Sequence, residues 1–411
     1  MDSRDLSPGR RPVPARRGVV RRGLPAVAVL LALLVGGYAA AARLAPLPTP
    51  PGWPPPTDLA EYAAVLHVHS RYSHDGRGTV EEIAAAAARV GVRVVFLTDH
   101  STLVPLLEGK QRWYGPALVL IGAEVTTNAG YLLVLDVRPG LPVEGRGLPF
   151  AEAVAAYRQA GAIVLLAHPE HPRLGWRQDP PVVDGIEVVD VFDQVVAAPW
   201  PRQLMGLVAY PANPVMAILS VIRWPHGVLE RWDRMARERP TLGVLALDAH
   251  GGIELTEETG VRFPSHETAF RLGQLHFVSR EPLAHDPRDR DRVYGALRAG
   301  QFYNAFDGLA PAAGFRFVAR RASEVALMGT TVRAGEGWVF EVRVPPVGET
   351  MMRLVRDGEV VHAEAGAREV RWPVEQPGAY RVEVDLRANL FPIATPRDVP
   401  WIFSNAIYVR R

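Results

Sequence analysis

The stretch VLHVHSRYSHD, residues 65–75, places three histidines and an aspartate within nine positions of a 411-residue chain that has only 12 histidines. Alternate residues of a strand point to the same face, so His67 and His69 can bind one metal ion together. The chain has no cysteine, so its metal ligands must be imidazoles and carboxylates, which suit Zn²⁺, Mn²⁺ or Fe²⁺. The stretch therefore predicts a metal site at the end of a strand.

Further candidate ligands follow at the ends of other predicted strands. Continuous apolar runs alternate with helical segments such as TVEEIAAAAARVGV, a pattern typical of βα units around a parallel sheet. Parallel α/β folds build their sites at the carboxyl ends of their strands, so polar residues there are expected to meet. The residues at these ends are His67, His69, Asp99, His100, Glu124, His168, Asp248 and His250, with Asp75 in the loop after the first strand.

Five short motifs, HVHSRYSHDG, LTDH, GAEVTT, AHP and LDAHG, occur in this order along the chain. They resemble the ordered motifs of the PHP (polymerase and histidinol phosphatase) superfamily. Together with PWIFSNAIYV near the C-terminus, they are most similar to its carbaryl-hydrolase-like branch. The resemblance covers about residues 60–310 by motif. It implies an α/β fold, a distorted (β/α)7 TIM-like barrel with two or three divalent metal ions, often in a phosphoesterase.

The resemblance also implies which residues hold the ions. The first ion would be held by His67, His69, Glu124 and Asp248. A second would be held by Asp75, His100 and His250, and His168 would join Glu124, as a bridge, at a third position. Asp99 and His168 are the candidates for a part in catalysis, Asp99 as the partner of a ligand or as a substrate contact.

One position departs from the pattern of the branch. Tyr131, in NAGYLLVL, stands where the branch usually has a histidine, and a phenol is a poor substitute for an imidazole. The third ion depends on this position. His171, in AHPEHP, is the candidate that would compensate.

The N-terminus predicts a membrane segment. RRGVVRR precedes GLPAVAVLLALLVGGYAAAA, residues 23–42, which is uncharged and long enough at ~1.5 Å per residue to span a bilayer core of ~30 Å. The clustered arginines predict a cytoplasmic tail over 1–22, an anchor over 23–43 and an extracytoplasmic globular part, periplasmic or extracellular. The small residues 39–42 leave a cleaved signal peptide as the alternative.

The rest of the chain divides by composition. Residues 44–58 are proline-rich and predict a stiff spacer, 59–312 the barrel, and 313–411 a β-sandwich of short strands. Residues 204–224 are apolar but interrupted by Pro211 and Pro214. We interpret them as an insertion that covers the barrel or touches a membrane surface, with a second membrane span as the alternative.

Charge argues against a nucleic-acid partner. Eight of the 46 basic residues but only three of the 44 acidic residues lie in 1–58, which leaves 38 basic and 41 acidic residues beyond. The globular part is therefore nearly neutral and has no basic footprint. The leading hypothesis is a metal-dependent hydrolase of phosphate esters that acts on a small-molecule ester. The alternatives are hydrolysis of a carboxylic or carbamate ester on the same centre and a non-catalytic binding module.

Overall fold

The computed structural model describes residues 20–55, 57–143, 147–176, 182–254, 262–391 and 395–411. Its helices are α1 Val20–Ala41, α2 Val80–Arg89, α3 Val104–Leu107, α4 Phe150–Gln159, α5 Val191–Ala197, α6 Trp200–Ala209, α7 Pro214–Leu219, α8 His226–Glu238, α9 His266–Phe270 and α10 Asp289–Arg298. Its first strands are β1 Ala60–Val68, β2 Val94–Leu97, β3 Trp113–Tyr114, β4 Ala117–Ile121, β5 Ala123–Thr126, β6 Tyr131–Leu135, β7 Ile163–Ala167, β8 Gly185–Asp190, β9 Leu242–Ala246, β10 Ile253–Glu254 and β11 Arg262–Phe263. The later strands are β12 Gln274–Ser279, β13 Phe302–Ala305, β14 Arg316–Arg321, β15 Glu324–Ala326, β16 Thr331–Arg333, β17 Val339–Arg343, β18 Thr350–Arg356, β19 Glu359–Ala365, β20 Glu369–Pro373, β21 Gly378–Ala388, β22 Arg397–Ser404 and β23 Ile407–Arg410.

Six parallel strands surround the candidate site in two sets. Strands β1, β2 and β4 pair in parallel in one sheet, and β7, β8 and β9 pair in parallel in another. A parallel bridge between Val68 and Ala249 joins β1 to the end of β9, and a second bridge joins His100 to Glu124. All residues of β4, β7 and β9 are buried, as expected for parallel strands covered on both faces. The six carboxyl ends therefore face the same side of the molecule.

The predicted fold of a (β/α)7 barrel with a separate C-terminal sandwich and a transmembrane helix is wrong, and the molecule is a mixed α/β protein with several sheets. Strand β6 runs antiparallel to both β5 and β7. Strands β12 and β13 lie antiparallel beside β1, and β13 pairs with β22, so the C-terminal strands continue a 12-stranded sheet that begins in the first half of the chain. This pairing covers an edge of β13 that would otherwise expose its backbone groups.

The predicted membrane anchor over 23–43 is also contradicted. No helix in the described part of the chain is both long and apolar enough to cross a membrane. The membrane localisation that rested on this anchor is therefore not supported, and residues 1–19 of the predicted cytoplasmic tail lie outside the described residues.

Two buried asparagines of the C-terminal half form hydrogen bonds with β9, one of the strands around the site. The Asn304 side chain accepts a hydrogen bond from the Leu245 amide at 2.8 Å and donates one to the Gly243 carbonyl at 3.0 Å. Asn405, in the segment PWIFSNAIYV, accepts one from the Gly243 amide at 2.9 Å. Because both side chains contact β9, the C-terminal strands support the strand that leads to Asp248.

A buried ionic network ties β1 to β12 and β14. The His276 ring lies 3.1 Å from a Glu61 oxygen and 2.9 Å from an Asp307 oxygen, and Arg316 also contacts Glu61. Burial lowers the pKa of His276, but Asp307 and Glu61 outweigh it and raise the pKa to about 10. Burial raises the pKa of Glu61, but its partners outweigh it and lower the pKa to about 2. At neutral pH both groups are therefore charged.

Replacing His276 by Leu should destabilise the fold by about 3 kcal/mol, because it leaves Asp307 without its cation and Glu61 with Arg316 alone. Since the pKa of His276 is raised on folding, its contribution is fully present below about pH 6.5 and is lost as the pH rises through about 10. Urea unfolding of the wild type and H276L at pH 6, 8 and 10.5 measures the difference. A difference that grows with pH would contradict this account of the network.

Candidate metal centre

Eight metal-type side chains converge at the carboxyl ends of the parallel strands, and these are the eight predicted metal ligands. They form two groups, and the donor atoms within each group lie within 4.8 Å of one another. The buried group, called group I, consists of His67, Glu124, His168 and Asp248. The more accessible group, called group II, consists of His69, Asp75, His100 and His250. This division differs from the predicted one at two residues. His69 was predicted to bind the first ion but lies with the ligands of the second, and His168 was predicted at a third position but lies with the ligands of the first.

Glu124 lies between the two groups. One of its oxygens, Oε1, lies 3.2 Å from His168 Nε2. The other oxygen, Oε2, lies 3.2 Å from His67 Nε2 and 3.1 Å from His100 Nδ1. The same carboxylate therefore contacts imidazoles of group I and of group II.

Three members of group I have an unusual backbone conformation. His67, His168 and Asp248 have φ of 64°, 53° and 47°, in the left-handed region that residues with a Cβ rarely adopt. Such residues cost of the order of 1–3 kcal/mol each and are concentrated at functional sites. His168 and Asp248 adopt it just after β7 and β9, and His67 adopts it at an irregularity within β1, between Val65 and Val68.

The loop after β1 brings Asp75 to group II. A Cβ on Gly76 would lie 2.2 Å from the Ser70 carbonyl oxygen, so only glycine allows this close approach. The Arg77 amide then donates a hydrogen bond to the His250 carbonyl at 2.8 Å. As a result, Asp75 Oδ2 lies 3.3 Å from His100 Nε2 and 3.5 Å from His250 Nε2.

The unpaired polar atoms of the centre show that its residues fit a metal. His69 Nε2, Glu124 Oε1 and Asp248 Oδ1 are buried and make no hydrogen bond with the described residues. Burying a polar atom without a hydrogen bond is costly, and bound cations would give all three atoms a partner. Imidazole nitrogens and carboxylate oxygens are the donors that Zn²⁺, Mn²⁺ and Fe²⁺ accept, so the donor set fits divalent ions without identifying the metal.

Two acidic residues that the sequence did not single out hold the imidazoles of group I. His67 Nδ1 lies 2.7 Å from Glu187 Oε1, and His168 Nδ1 lies 3.0 Å from Asp193 Oδ1. The second oxygen of Glu187 accepts a hydrogen bond from the His168 amide at 2.7 Å. With each Nδ1 facing a carboxylate, each Nε2 faces the centre. Burial lowers the pKa of both rings, but the surrounding carboxylates outweigh it and raise the pKa well above its usual range, so a metal would take the place of a proton on each Nε2.

Asp190 is the third buried acid behind group I. One of its oxygens caps α5 by accepting a hydrogen bond from the Asp193 amide at 2.8 Å. The other lies 3.6 Å from His67 Nδ1 and makes no hydrogen bond with the described residues. Burial and the nearby charges of Asp193 and Glu187 raise the pKa of Asp190 well above its usual range. All three acids occur in DGIEVVDVFD, where acidic residues on a buried strand and just beyond it are the signal that could have revealed them.

Asp99 lies outside both ligand groups. Its carboxylate accepts hydrogen bonds from the Ser70 amide at 2.7 Å and from the Ser73 hydroxyl at 2.9 Å. Because the Ser73 hydroxyl donates its hydrogen bond to Asp99, its oxygen can accept one from His69 Nδ1, 3.0 Å away. Asp99 therefore orients His69 through Ser73, which corresponds to the predicted role as the partner of a ligand.

The histidines of the centre differ in pKa. Burial lowers the pKa of His69 to about 4, so this imidazole is neutral and ready to bind a metal at neutral pH. Burial lowers the pKa of His250, but Asp75 and Asp248 outweigh it and raise the pKa to about 9. Burial raises the pKa of Glu124, but His67 and His168 outweigh it and hold the pKa well below its usual range. A metal must therefore displace a proton from His250 at neutral pH.

The position with the unusual tyrosine lies beside group I. The Tyr131 ring packs edge-on against the His168 ring, with 5.8 Å between their centroids. His171 is buried, and its Nδ1 accepts hydrogen bonds from the amides of Arg173 and Leu174 at 3.2 and 3.0 Å. His171 thus shapes its own loop, and among the described residues it belongs to neither ligand group. The number of ions, two or three, stays a prediction.

Comparisons with known proteins agree with the sequence motifs. Residues 66–171 match the family model of the PHP domain. A search of curated proteins finds no match. One similar structure is a two-domain protein from Bacteroides vulgatus that contains a predicted PHP-like metal-dependent phosphoesterase. It has 14% identity and a TM-score of 0.41, with 88% of this chain and 99% of that chain covered.

Two further solved structures are similar over a smaller part of the chain. One is a candidate metal-dependent phosphoesterase from Bifidobacterium adolescentis, with 15% identity and a TM-score of 0.32. The other is an amidohydrolase from Chromobacterium violaceum with bound sulfate, with 16% identity and a TM-score of 0.27. In each case the similarity covers 46% of this chain and 87% of the other chain. The PHP domain match spans seven of the predicted site residues, from His67 to His168, and it supports the PHP superfamily for this chain.

Proposed function

We propose that this protein is a metal-dependent hydrolase that cleaves phosphate esters with two ions held by groups I and II. The observation that carries this proposal is the position of Glu124, whose two oxygens contact His168 in group I and both His67 and His100 across the two groups. A carboxylate between two clusters of imidazoles is the arrangement expected of a two-metal centre. The PHP domain match over residues 66–171 agrees with this class of chemistry.

The ligands and the residues behind them have different roles in the proposed reaction. Divalent ions bound here would supply positive charge that lowers the pKa of a water toward neutrality and polarises a phosphoryl oxygen. Glu187 and Asp193 hold His67 and His168 in one orientation and one tautomer, and Asp99 does the same for His69 through Ser73. Group I is buried while Asp75, His100 and His250 are accessible, so the substrate approaches from the side of group II.

Hydrolysis of bis(4-nitrophenyl) phosphate tests the proposal directly. We expect the protein to release 4-nitrophenolate after loading with Zn²⁺ or Mn²⁺, to lose this activity after treatment with a chelator, and to regain it when the metal is restored. A metal-loaded protein with no phosphoesterase activity on mono- or diesters would contradict the proposal. Activity that is insensitive to chelation would contradict it as well.

Parallel assays separate the alternatives. Hydrolysis of a carboxylic or carbamate ester on the same centre is the reaction that the narrower resemblance to the carbaryl-hydrolase-like branch suggests. 4-Nitrophenyl acetate and a phenyl carbamate therefore accompany the phosphate esters, with metal-free protein as the control. Higher rates on these substrates than on the phosphate esters would show that the centre attacks an acyl carbon instead of phosphorus. Metal binding without hydrolysis of any of them would favour a binding module.

A further inference from the structure

A large cleft leads from group II across the surface of the insertion between β8 and β9. Its volume is about 1360 Å³, which exceeds the range of roughly 300–1,000 Å³ that is common for pockets of small ligands. At one end it is lined by His100, Glu124, His168, Asp248 and His250. A simple phosphate ester would occupy only this polar end, so the remaining space needs another explanation.

The rest of the cleft has an apolar wall built by α5, α6 and α7. Its side chains include Phe192, Val195, Leu207, Ile218 and Val221. Phe192 and Leu207 are 45% and 62% exposed, although exposing large apolar side chains is unfavourable. The wall begins at the metal centre itself, because the Phe192 ring lies 6.4 Å from the His250 ring.

We infer that the substrate is a phosphate ester of a long aliphatic alcohol, with its phosphate at the metal ligands and its chain along this wall. The inference rests on the proposed function for the identity of the head group. Continuity of the cleft supports the rest, since one cavity presents charged ligands at one end and branched aliphatic side chains at the other. Burial of the chain against Leu207 and Phe192 would remove both sets of apolar atoms from water.

The chemistry of the wall favours an aliphatic chain over a peptide or a sugar. The side chains of Val195, Ile218 and Val221 carry no hydrogen-bonding group. A peptide or a sugar would bury many polar atoms in this part of the cleft, where Gln203 and Tyr210 could pair with only a few of them, whereas methylene groups need no partner. The bond that is cleaved is the one between phosphorus and an ester oxygen, with water supplying the hydroxyl group to phosphorus and the proton to the leaving alcohol.

Binding of n-alkylphosphonates, which are not hydrolysed, tests the inference independently of turnover. Kd is measured by calorimetry on the full-length, metal-loaded protein for chains of one to ten carbons. We expect Kd to fall about fourfold for each added methylene over the middle of the series, as expected for burial of one CH₂ group. A Kd that does not depend on chain length would overturn the inference.

Two variants locate the chain on the wall. Replacing both Phe192 and Leu207 by Ser should reduce the dependence to less than about 1.5-fold per methylene, since the wall then offers less apolar surface. Both side chains are exposed, so the fold should tolerate these changes. The matched control is L204S, because Leu204 lies on the same helix, is 52% exposed and is not among the described residues that line the cleft.

The outcomes distinguish this inference from the proposed function. A chain-length dependence that F192S/L207S keeps unchanged would place the chain elsewhere and overturn the assignment to this wall. A steep dependence in the wild type that L204S keeps and F192S/L207S loses would support it, whether or not phosphate esters are hydrolysed. Hydrolysis of bis(4-nitrophenyl) phosphate with a flat series would leave the proposed function standing and refute the aliphatic substrate.

Discussion

Replacing Glu124 by Gln should lower kcat for phosphate esters by roughly 10³-fold or more, since the loss of a single preorganised charge contact at an active site already costs 10²–10³-fold. Glutamine keeps the shape of the side chain but removes the negative charge that faces His67, His100 and His168. Both groups lose a ligand at once, so we also expect weaker binding of both ions. Steady-state kinetics and metal content of the purified variant measure the two effects.

The matched control is E230Q. Glu230 is an exposed residue of α8 that belongs to neither ligand group, and the same change of charge there should leave both kinetics and metal content unaltered. E124Q should still fold, which circular dichroism and thermal unfolding can establish. A folded E124Q protein that keeps both ions and nearly the activity of the wild type would refute the bridging role of Glu124.

Replacing Asp75 by Asn should remove one ion and leave the other. The Asp75 carboxylate is 40% exposed on a loop and contacts His100 and His250, both in group II. We therefore expect D75N to keep the ion of group I and to lose activity by roughly 10²-fold, the lower end of the range for one electrostatic contact. D75N should therefore lose one ion, whereas E124Q should bind both ions more weakly.

Elemental analysis and kinetics of D75N provide the measurement, and D398N serves as its control because Asp398 is an exposed aspartate on β22. Loss of both ions in D75N would show that the two groups do not bind independently. Retention of both ions with full activity would remove Asp75 from the ligand set. Thermal unfolding of the metal-free D75N protein establishes that the variant is folded.

Local patterns in the sequence predicted most of the candidate centre. The alternation in HVH, and polar residues at the ends of apolar runs, led to eight side chains that the structure brings together. Their division between two groups could not be predicted, because it depends on the left-handed backbone at His67, His168 and Asp248. The supporting acids Glu187 and Asp193 were missed, since the acidic residues in DGIEVVDVFD do not show by themselves that they lie behind imidazoles of distant segments.

Contacts between distant segments explain the errors in the predicted fold. The short strands after residue 312 were correctly expected as strands, but nothing local indicates that β22 pairs with β13 instead of closing a separate sandwich. Likewise, the apolar composition of 204–224 could not show that Leu207 and Ile218 line a cleft beside the metal ligands. The uncharged run over 23–42 predicted a membrane span that the described structure does not support.

The number of metal ions per chain tests the central claim most directly. Elemental analysis of the wild-type protein after loading with Zn²⁺ or Mn²⁺ and removal of free metal should be performed near pH 8, where protons compete less with the metal for His250. The two groups predict about two ions per chain. Protein that remains free of metal under these conditions would contradict the account, because the converging histidines and carboxylates would then need a purpose other than holding ions.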